Sequence, residues 1–358
     1  MSTATGMTRL LDERGTRLTS PEFDPVLADL TSADLLGLYR DLVLVRRLDA
    51  EATALQRQGE LALWPPLLGQ EAAQIGTGRA LRRDDFVFSS YREHAVAYTR
   101  GVALPDLVRV WRGIALSGWD PFEIGMAAPQ VIIGAQTLHA TGYAMGVQRD
   151  GSDAAVVVYL GDGAMSEGDV AEAMVFAASF RAPLLFVCQN NQWAISEPVR
   201  LQTAVPFADR ATGFGIPGRV VDGNDVLAVL AETRAALARI RAGEGPQFLE
   251  ATTYRMGPHT TADDPTRYRD AAELEAWRER DPIDRMARHL RALGILGDAE
   301  EAGVQAEAAA AAAELRAGCL ALTDPEPLSV FDDVYAEPHP RLDRQRAEYA
   351  DYLRGFDS

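Results

Sequence analysis

The residues best suited to carry out chemistry begin with a glycine-rich, acidic turn, GDGAMSEGD, at positions 161–169. It follows the apolar run AAVVVYL, which predicts a buried strand, and it leads into a helical pattern. Backbone N–H groups at such a helix start can hold phosphate oxygens. The turn is not a P-loop, because no Gly-Lys-Ser/Thr follows, and its glycine spacing does not fit the dinucleotide fingerprint. A phosphate-type turn that carries carboxylates therefore needs another explanation.

A second polar pair ends the next predicted strand, where Asn190 and Asn191 follow the run PLLFVCQ. One crossover helix and one strand separate this pair from Asp162, so the two strands are expected to be neighbours. Asp162 and Asn191 should then emerge side by side at the carboxyl edge of the sheet, where α/β sheets bind ligands. A carboxylate, an amide oxygen and a backbone carbonyl form a hard oxygen site for Mg²⁺ or Ca²⁺. We expect Asp162 to hold a cation that in turn contacts phosphate.

The elements that must position these residues belong to an α/β chain. Apolar β-branched runs alternate with helical patterns, which predicts a doubly wound, mostly parallel sheet with helices on both faces. Strands are expected over 154–160 and 183–191, with a helix over 167–181 between them. The polar residues 1–35 predict a weakly ordered N-terminal arm, residues 36–325 the α/β domain, and residues 326–358 a helical C-terminal extension consisting of an arm and a helix.

Composition excludes several classes of function. The 358 residues include 35 Lys and Arg against 52 Asp and Glu, and the net charge of −17 argues against nucleic acid as a partner. The two cysteines, Cys188 and Cys319, offer no disulfide framework, which is typical of a reducing cytosol. The first residues lack an apolar signal core, and no segment approaches 18 uninterrupted apolar residues. We therefore expect a cytoplasmic protein with no membrane partner.

Taken together, the GDG and NN sequences at this spacing resemble the thiamine diphosphate motif. The stretch YLGDGAMSEGDVAEAMVFAASFRAPLLFVCQNNQWAIS is similar to the alpha subunit of the decarboxylating first component of 2-oxo acid dehydrogenase complexes. The similarity continues through YREHAVAYTRG, PQVIIGAQTLHATGYAMG and YRMGPHTTADDPTRYR. The resemblance implies a thiamine diphosphate-binding fold of the diphosphate-binding type, with thiamine diphosphate and Mg²⁺ as cofactors.

The resemblance also implies roles for individual residues. The expected magnesium ligands are Asp162, Asn191 and the backbone carbonyl of Trp193. The expected cofactor-binding residues are Tyr91, Arg92, Ile133, Gly161, Asp162, Gly163, Ala164, Asn191, Arg255 and His259. Among them Ile133 matches an aliphatic side chain that supports the bent cofactor, and His259 matches an active-site histidine proposed to assist 2-oxo acid binding or acyl transfer. His259 is therefore the catalytic candidate.

The activity implied is oxidative decarboxylation of a 2-oxo acid, with reductive acylation of a lipoyl group on the acyltransferase component. The cofactor needs a glutamate beside its aminopyrimidine, and in the family a beta subunit donates it within an α2β2 heterotetramer. The sequences IIGAQ and GPHTTADDPTRYR, and the absence of histidine from GIALSGWDPFEIGMAAPQ, resemble pyruvate enzymes of Gram-positive bacteria. The sequence SEGD is equally typical of branched-chain enzymes. Pyruvate is favoured, with 2-oxoisovalerate as the alternative.

Two other functions are considered. A non-catalytic structural subunit would be expected to have lost cofactor residues, yet the polar candidates above are all present. A magnesium-dependent nucleotide-binding protein would need a lysine near the acidic turn, and GDGAMSEGD has none. Glu167 and Asp169 are expected to favour the positive end of the helix that they begin. His94 is expected to be structural, and His289 and His339 to lie at the surface.

Overall fold

The sheet at the centre of the protein is parallel, as the sequence predicts. The structure, a computed structural model, describes residues 6–356. The strands are β1 (Phe86–Phe88), β2 (Val156–Gly161), β3 (Leu184–Asn190), β4 (Trp193–Ala194), β5 (Glu197–Pro198), β6 (Gly218–Asp222) and β7 (Gln247–Thr252). Five of them pair in parallel in the order β1-β2-β3-β7-β6, and β4 and β5 form a short antiparallel pair. The prediction of an α/β chain with a mostly parallel sheet is confirmed.

Helices connect these strands and continue beyond the last one. They are α1 (Ser32–Arg57), α2 (Glu71–Gly78), α3 (His94–Thr99), α4 (Arg109–Arg112), α5 (Pro121–Ile124), α6 (Ala135–Arg149), α7 (Gly168–Phe180), α8 (Val199–Gln202), α9 (Phe207–Gly213), α10 (Val226–Arg241), α11 (Ala271–Arg278), α12 (Pro282–Ala292), α13 (Asp298–Ala321) and α14 (Pro340–Arg354). Short 3-10 helices occupy Pro25–Leu27, Leu104–Val108, Gly163–Ser166, Pro265–Arg267 and Pro327–Phe331. The helix expected over 167–181 is thus α7.

Alternating side chains of the central strands face two different sets of helices. On one face Phe186 and Cys188 of β3 belong to a buried cluster that includes residues of α6, α7 and α9. On the other face Gln189 accepts a hydrogen bond from Gln74 of α2, and Tyr159 of β2 donates to Thr77 of the same helix. Successive strand residues point to opposite faces of the sheet. Because both faces are buried here, most residues of β2 and β3 are apolar, which gives a continuous apolar run in the sequence of each strand. Helices therefore cover both faces of the sheet.

The N-terminal segment packs against the edge strand β6 and the start of α10, so the prediction of a weakly ordered arm is wrong for residues 6–30. Leu10 and Leu11 are fully buried, and Thr8 bridges to Val221 of the edge strand. Both leucine amides donate to one carboxylate oxygen of Asp225, at 2.6 Å each. The other oxygen of Asp225 caps α10. Residues 1–5 of the predicted arm lie outside the described residues.

Two histidines are built into the packing. His289 is buried and its Nδ1–H donates to the carbonyl of Gly15 at 3.0 Å, so its predicted surface position is wrong. Burial lowers the pKa of His289 and favours the neutral ring. His94 stacks on Trp64 with ring centroids 4.0 Å apart and donates from Nε2 to the carbonyl of Pro65. These contacts agree with the structural role expected for His94.

The chain divides into two compact units, Met1–Leu320 and Ala321–Ser358. Within the second unit, the ring centroids of Phe331 and Tyr349 lie 6.0 Å apart, and Arg346 pairs with Asp332. Residues 357–358 of the predicted C-terminal extension lie outside the described residues. Within the described range 6–356, no helix has both the length and the apolar character needed to cross a membrane.

The Asp225 contacts predict that one isosteric substitution loosens the N-terminal segment. Asp225→Asn replaces an acceptor oxygen with an NH₂ group that cannot accept from the buried amides. Because a hydrogen bond to a charged group contributes roughly 1.5–3 kcal/mol, we expect the free energy of unfolding to fall by about 3 kcal/mol. Urea denaturation measures the loss, and limited proteolysis should show new cleavage within residues 6–30. Asp120→Asn, at the exposed cap of α5, is the control and should leave cleavage there unchanged; equal patterns for both variants would contradict the role of Asp225.

Candidate active site

The two predicted polar positions meet at the carboxyl edge of the sheet. Gly161 ends β2 and Asn190 ends β3, and these strands are parallel neighbours, with Leu160 opposite Cys188. The chain continues from these strand ends into Asp162 and Asn191, which both line one cavity of about 240 Å³. The side-by-side arrangement that the sequence predicts is therefore present.

Nearly all of the predicted site residues line this cavity. They are Tyr91, Arg92, Ile133, Gly161, Asp162, Gly163, Ala164, Asn191, Trp193 and His259. Arg255 is the exception, because its fully buried side chain lies behind the wall and hydrogen-bonds to backbone there. Of the other two acids of the turn, Glu167 lines the cavity as an exposed residue at the N-cap position of α7, whereas Asp169 does not line it.

Asp162 is a buried carboxylate whose burial is only partly offset by hydrogen bonds and by the charge of Arg255. Its Oδ2 accepts a hydrogen bond from Gln202 Nε2 at 3.0 Å. Burial raises the pKa of Asp162 to about 6, against the lowering effect of that hydrogen bond. Within the described residues no cluster of three His, Cys, Asp or Glu side chains is suited to hold a metal. A cation here would therefore depend on one carboxylate together with amide and carbonyl oxygens.

Asn191 and Trp193 supply those neutral oxygens. The Nδ2 of Asn191 donates to Gln70 Oε1 at 3.2 Å, and its Oδ1 accepts from the amide of Trp193 at 3.2 Å. The carbonyl of Trp193 accepts from Arg255 Nη1 at 3.0 Å. Because a carbonyl oxygen has two lone pairs, this bond leaves one lone pair free for a cation.

Two residues close to these oxygens in the chain have a rare backbone conformation. Gln192 and Ile195 have positive φ angles of 73° and 54°, although neither is glycine. Arg255 secures the segment, since its Nη2 also donates to the carbonyl of Ile195 at 2.7 Å. Backbone strain of this kind clusters at ligand-binding and catalytic sites. Arg255 therefore shapes the cavity through the turn that carries Trp193.

Arg92 and His259 both line the cavity and contact each other. Arg92 donates from Nη1 to the carbonyl of Pro66 at 2.6 Å and from Nη2 to both the carbonyl and Nδ1 of His259, at 2.9 and 3.2 Å. A guanidinium can only donate, so Nδ1 is the acceptor and the ring proton lies on Nε2. Burial and the nearby cations Arg92 and Arg255 lower the pKa of His259 to about 3. The ring is therefore neutral near pH 7.

The loop that carries His259 is tied to Arg255. Asp263 accepts from the amide of His259 at 2.7 Å and from Tyr268 Oη at 2.5 Å, and that hydroxyl accepts from Arg255 Nη2 at 2.8 Å. Burial alone would raise the pKa of Asp263, but these hydrogen bonds and the Arg255 charge outweigh it and lower the pKa. The acids of TADDPTRYR thus include one that orders the loop.

Sequence reasoning missed several polar side chains in the cavity wall, all of which were assigned only to predicted helices, strands or turns: Gln70, Ser90, Glu93, Gln136 and Gln189. Two of them have a buried polar atom without a hydrogen-bond partner among the described residues, Nε2 of Gln70 and Oε1 of Gln136. The available signal was polar residues at the ends of apolar segments, which is too common to identify a site alone.

A family model described as "Dehydrogenase E1 component" matches residues 39–317. The chain is 47% identical to 3-methyl-2-oxobutanoate dehydrogenase subunit alpha of Mycobacterium tuberculosis over 350 residues, covering 96% of this chain and 95% of that protein. It is 40% and 39% identical to pyruvate dehydrogenase E1 component subunit alpha of Staphylococcus epidermidis and Staphylococcus aureus, each over 297 residues, covering 82% of this chain and 79% of those proteins.

The two glycines of the turn predict opposite responses to an added methyl group. A Cβ at Gly163 would lie 2.7 Å from the Cβ of Ala194, whereas one at Gly161 would meet nothing within 4 Å. We therefore expect Gly163→Ala to lower the free energy of unfolding by about 1–3 kcal/mol through overpacking, and Gly161→Ala to change it by less than about 0.5 kcal/mol.

Denaturant unfolding of both variants measures the difference, and Gly163→Ala combined with Ala194→Gly should recover part of the loss. Equal stability of the two single variants would show that Gly163 is not required by the contact with Ala194.

Proposed function

Because the chain belongs to the dehydrogenase E1 component family, we propose that it is the alpha subunit of a 2-oxo acid dehydrogenase, an oxidoreductase that acts together with a beta subunit. The observation that carries the proposal is a single cavity lined by every residue expected at the cofactor except Arg255. Intact polar groups in that cavity also speak against a non-catalytic structural subunit.

The residues of the cavity fit thiamine diphosphate with Mg²⁺. A buried carboxylate, an amide oxygen and a carbonyl oxygen are the ligand types that magnesium accepts, and Asp162, Asn191 and Trp193 would supply them. Gly161 leaves open space where a side chain would otherwise project. When bound, thiamine diphosphate supplies the nucleophilic carbon and the electron sink for decarboxylation. The thiamine diphosphate-binding fold of the diphosphate-binding type is part of the same proposal.

Asp162 is the group that makes the site depend on a cation. A carboxylate with its pKa raised by burial gains most from an adjacent positive charge. In our proposal the cation held there neutralises the diphosphate, while Tyr91, Arg92 and the backbone at Gly163 and Ala164 contact its oxygens. A guanidinium has five N–H donors, and the contacts of Arg92 with Pro66 and His259 leave at least two of them for phosphate oxygens. Arg255 supports them by fixing the Trp193 carbonyl.

His259 is proposed to act as a neutral hydrogen-bond donor. Its Nδ1 is occupied by Arg92, so Nε2–H is the group available at the cavity. From there it can orient the carbonyl of a 2-oxo acid or assist acyl transfer without carrying a charge. The neighbouring guanidinium groups oppose its protonation, which suits a donor role better than that of a cationic acid.

Two features of this chain favour completion of the site by a beta subunit. The cavity of about 240 Å³ is smaller than the roughly 300–1,000 Å³ typical of enclosed small-molecule sites. Apolar side chains are also exposed on the segment before α6, where Ile133 lines the cavity, and on α6 and α7: Val131, Ile132, Ile133, Leu138, Val175, Phe176 and Phe180. Exposed apolar surface of this kind marks protein interfaces. We propose an α2β2 heterotetramer in which the beta subunit supplies the activating glutamate.

The substrate is proposed to be a 2-oxo acid, with the acyl group passed to a lipoyl domain of the acyltransferase component. The motifs of the sequence favour pyruvate, for which the staphylococcal relatives are named. The mycobacterial relative is named for 3-methyl-2-oxobutanoate, which is 2-oxoisovalerate. These sequence identities do not distinguish the two substrates. A direct comparison of the two acids in an activity assay does.

The cofactor assignment predicts a specific loss when Asp162 is changed to asparagine. Asp162→Asn keeps the shape but removes the charge, so we expect Mg²⁺-dependent binding of thiamine diphosphate by the assembled alpha and beta chains to weaken at least roughly 100-fold. Calorimetric titration of the assembled chains measures the loss. Thermal unfolding should change little, because the substitution relieves a buried charge; unchanged affinity would exclude Asp162 as the metal ligand.

The catalytic assignment predicts turnover only when both chains are present. The reconstituted pair should decarboxylate pyruvate or 3-methyl-2-oxobutanoate with an artificial electron acceptor, and should lose this activity without thiamine diphosphate or without the beta chain. Comparing kcat/KM for the two acids identifies the substrate. Absence of turnover with both acids, in a pair shown to bind the cofactor, would contradict the proposed activity.

A further inference from the structure

The backbone at Gln70, at the start of α2, is tightly constrained by its neighbours. Gln70 occupies the N-cap position of α2, yet its side chain makes no capping hydrogen bond. Gly69 before it has a φ of 96°, and a Cβ there would lie 2.2 Å from the carbonyl of Tyr254, so the turn admits only glycine. Glu71 after it is paired with Arg46 and accepts from the amide of Gly69. The backbone position of Gln70 is therefore constrained from both sides.

The side chain of Gln70 reaches the cavity and Asn191. It is 1% exposed, lines the cavity, and accepts from Asn191 Nδ2 through Oε1 at 3.2 Å. This contact sets the orientation of the Asn191 amide, because only Nδ2 can donate to Oε1. The Oδ1 of Asn191 is thereby kept on the opposite side, at the amide of Trp193 and the proposed metal position.

The other end of the same amide is a buried donor that nothing in the described chain accepts. Nε2 of Gln70 has no hydrogen-bond partner there, although buried polar groups are nearly always paired. The other unpartnered glutamine atom that lines the cavity, Oε1 of Gln136, is an acceptor, since its Nε2 donates to the carbonyl of Tyr159. Gln136 Oε1 therefore needs a hydrogen-bond donor from a ligand, whereas Gln70 Nε2 needs an acceptor.

We propose that Gln70 is a bifunctional binding residue: Nε2 donates to a phosphate oxygen of the diphosphate group, while Oε1 keeps the oxygen of Asn191 turned toward the metal. The inference rests on the proposed function and adds a neutral donor to a site whose proposed phosphate contacts are Arg92, Tyr91 and backbone. A phosphate oxygen beside the metal is the acceptor that a donor adjacent to Asn191 would meet.

Two substitutions separate the two halves of this role. Gln70→Met keeps much of the side-chain volume and removes both the donor and the acceptor. Gln70→Glu removes the donor but keeps an oxygen that can accept from Asn191. Gln136→Met is the matched control, because it removes the other unpartnered glutamine of the same cavity without removing a donor to the ligand.

The assembled alpha and beta chains are titrated calorimetrically with inorganic pyrophosphate, which reports on the diphosphate group alone, and with thiamine diphosphate. At saturating Mg²⁺ and pH 8, we expect Gln70→Met to weaken both by roughly 10- to 100-fold, as for a lost hydrogen bond to a charged group. Gln136→Met should stay within about twofold of the unaltered assembly for pyrophosphate. The Mg²⁺ concentration for half-maximal binding should rise for Gln70→Met and not for Gln70→Glu.

Thermal unfolding of each assembly checks that the variants are folded, and the two Gln70 variants provide independent tests. A pyrophosphate affinity of Gln70→Met within twofold of the unaltered assembly at saturating Mg²⁺ would overturn the donor role. An equal rise in the Mg²⁺ requirement for both variants would overturn the orienting role. If the unaltered assembly binds no thiamine diphosphate, the proposed function itself fails; if it binds and only the Gln70 effects are missing, this inference alone fails.

Discussion

The cavity depends on one buried cation, the guanidinium of Arg255. A charge taken fully out of water must be compensated, and Arg255 obtains its acceptors from the carbonyls of Trp193 and Ile195 and the hydroxyl of Tyr268. Burial lowers the pKa of Arg255, although a guanidinium remains charged at any pH at which the protein is folded. The strained turn after β3 and the buried charge therefore stabilise each other. The carbonyls of the turn accept the hydrogen bonds that the guanidinium donates, and these bonds hold the turn in its strained conformation.

The sheet makes this contact possible. Strands β3 and β7 are parallel neighbours with Asn190 opposite Thr252, so the chain after β7 runs beside the chain after β3. The amide of Arg255 donates to the carbonyl of Asn191, which continues the pairing beyond the last strand residues. A shift of register by one residue would turn side chains to the other face and remove Arg255 from the turn. The position of the site is thus a consequence of strand pairing in the core.

The sequence allowed prediction of those parts of the site that follow from strand ends. Asp162 and Asn191 were placed together because parallel strands deliver their carboxyl ends to one edge, and this argument needs no side-chain detail. The packing of the N-terminal segment does not follow from its sequence, because Leu10 and Leu11 lie in a polar stretch and their acceptor, Asp225, is distant in the chain. The buried position of His289 is unpredictable for the same reason, since its hydrogen-bond acceptor, the Gly15 carbonyl, lies in a distant segment. The wall glutamines required the tertiary structure, because their roles depend on which amide end is left without a partner.

The buried carboxylates of the cavity also bear on why a second chain is needed. Glu93 lines the cavity beside Arg92, and burial raises its pKa, which are properties expected of a carboxyl group that exchanges a proton. Each of its oxygens accepts one hydrogen bond, however, one from Gln189 Nε2 at 2.6 Å and the other from Ser90 Oγ at 2.7 Å, and these bonds hold the carboxylate in place. Gln189 in turn is held by Gln74, so the set is locked into the core of the sheet. Asp162 is proposed to be committed to the metal, and Glu167 is exposed at the start of α7. Glu93 is thus held in the core and Asp162 is assigned to the metal, which favours the proposal that the carboxyl group needed by the cofactor comes from the beta subunit.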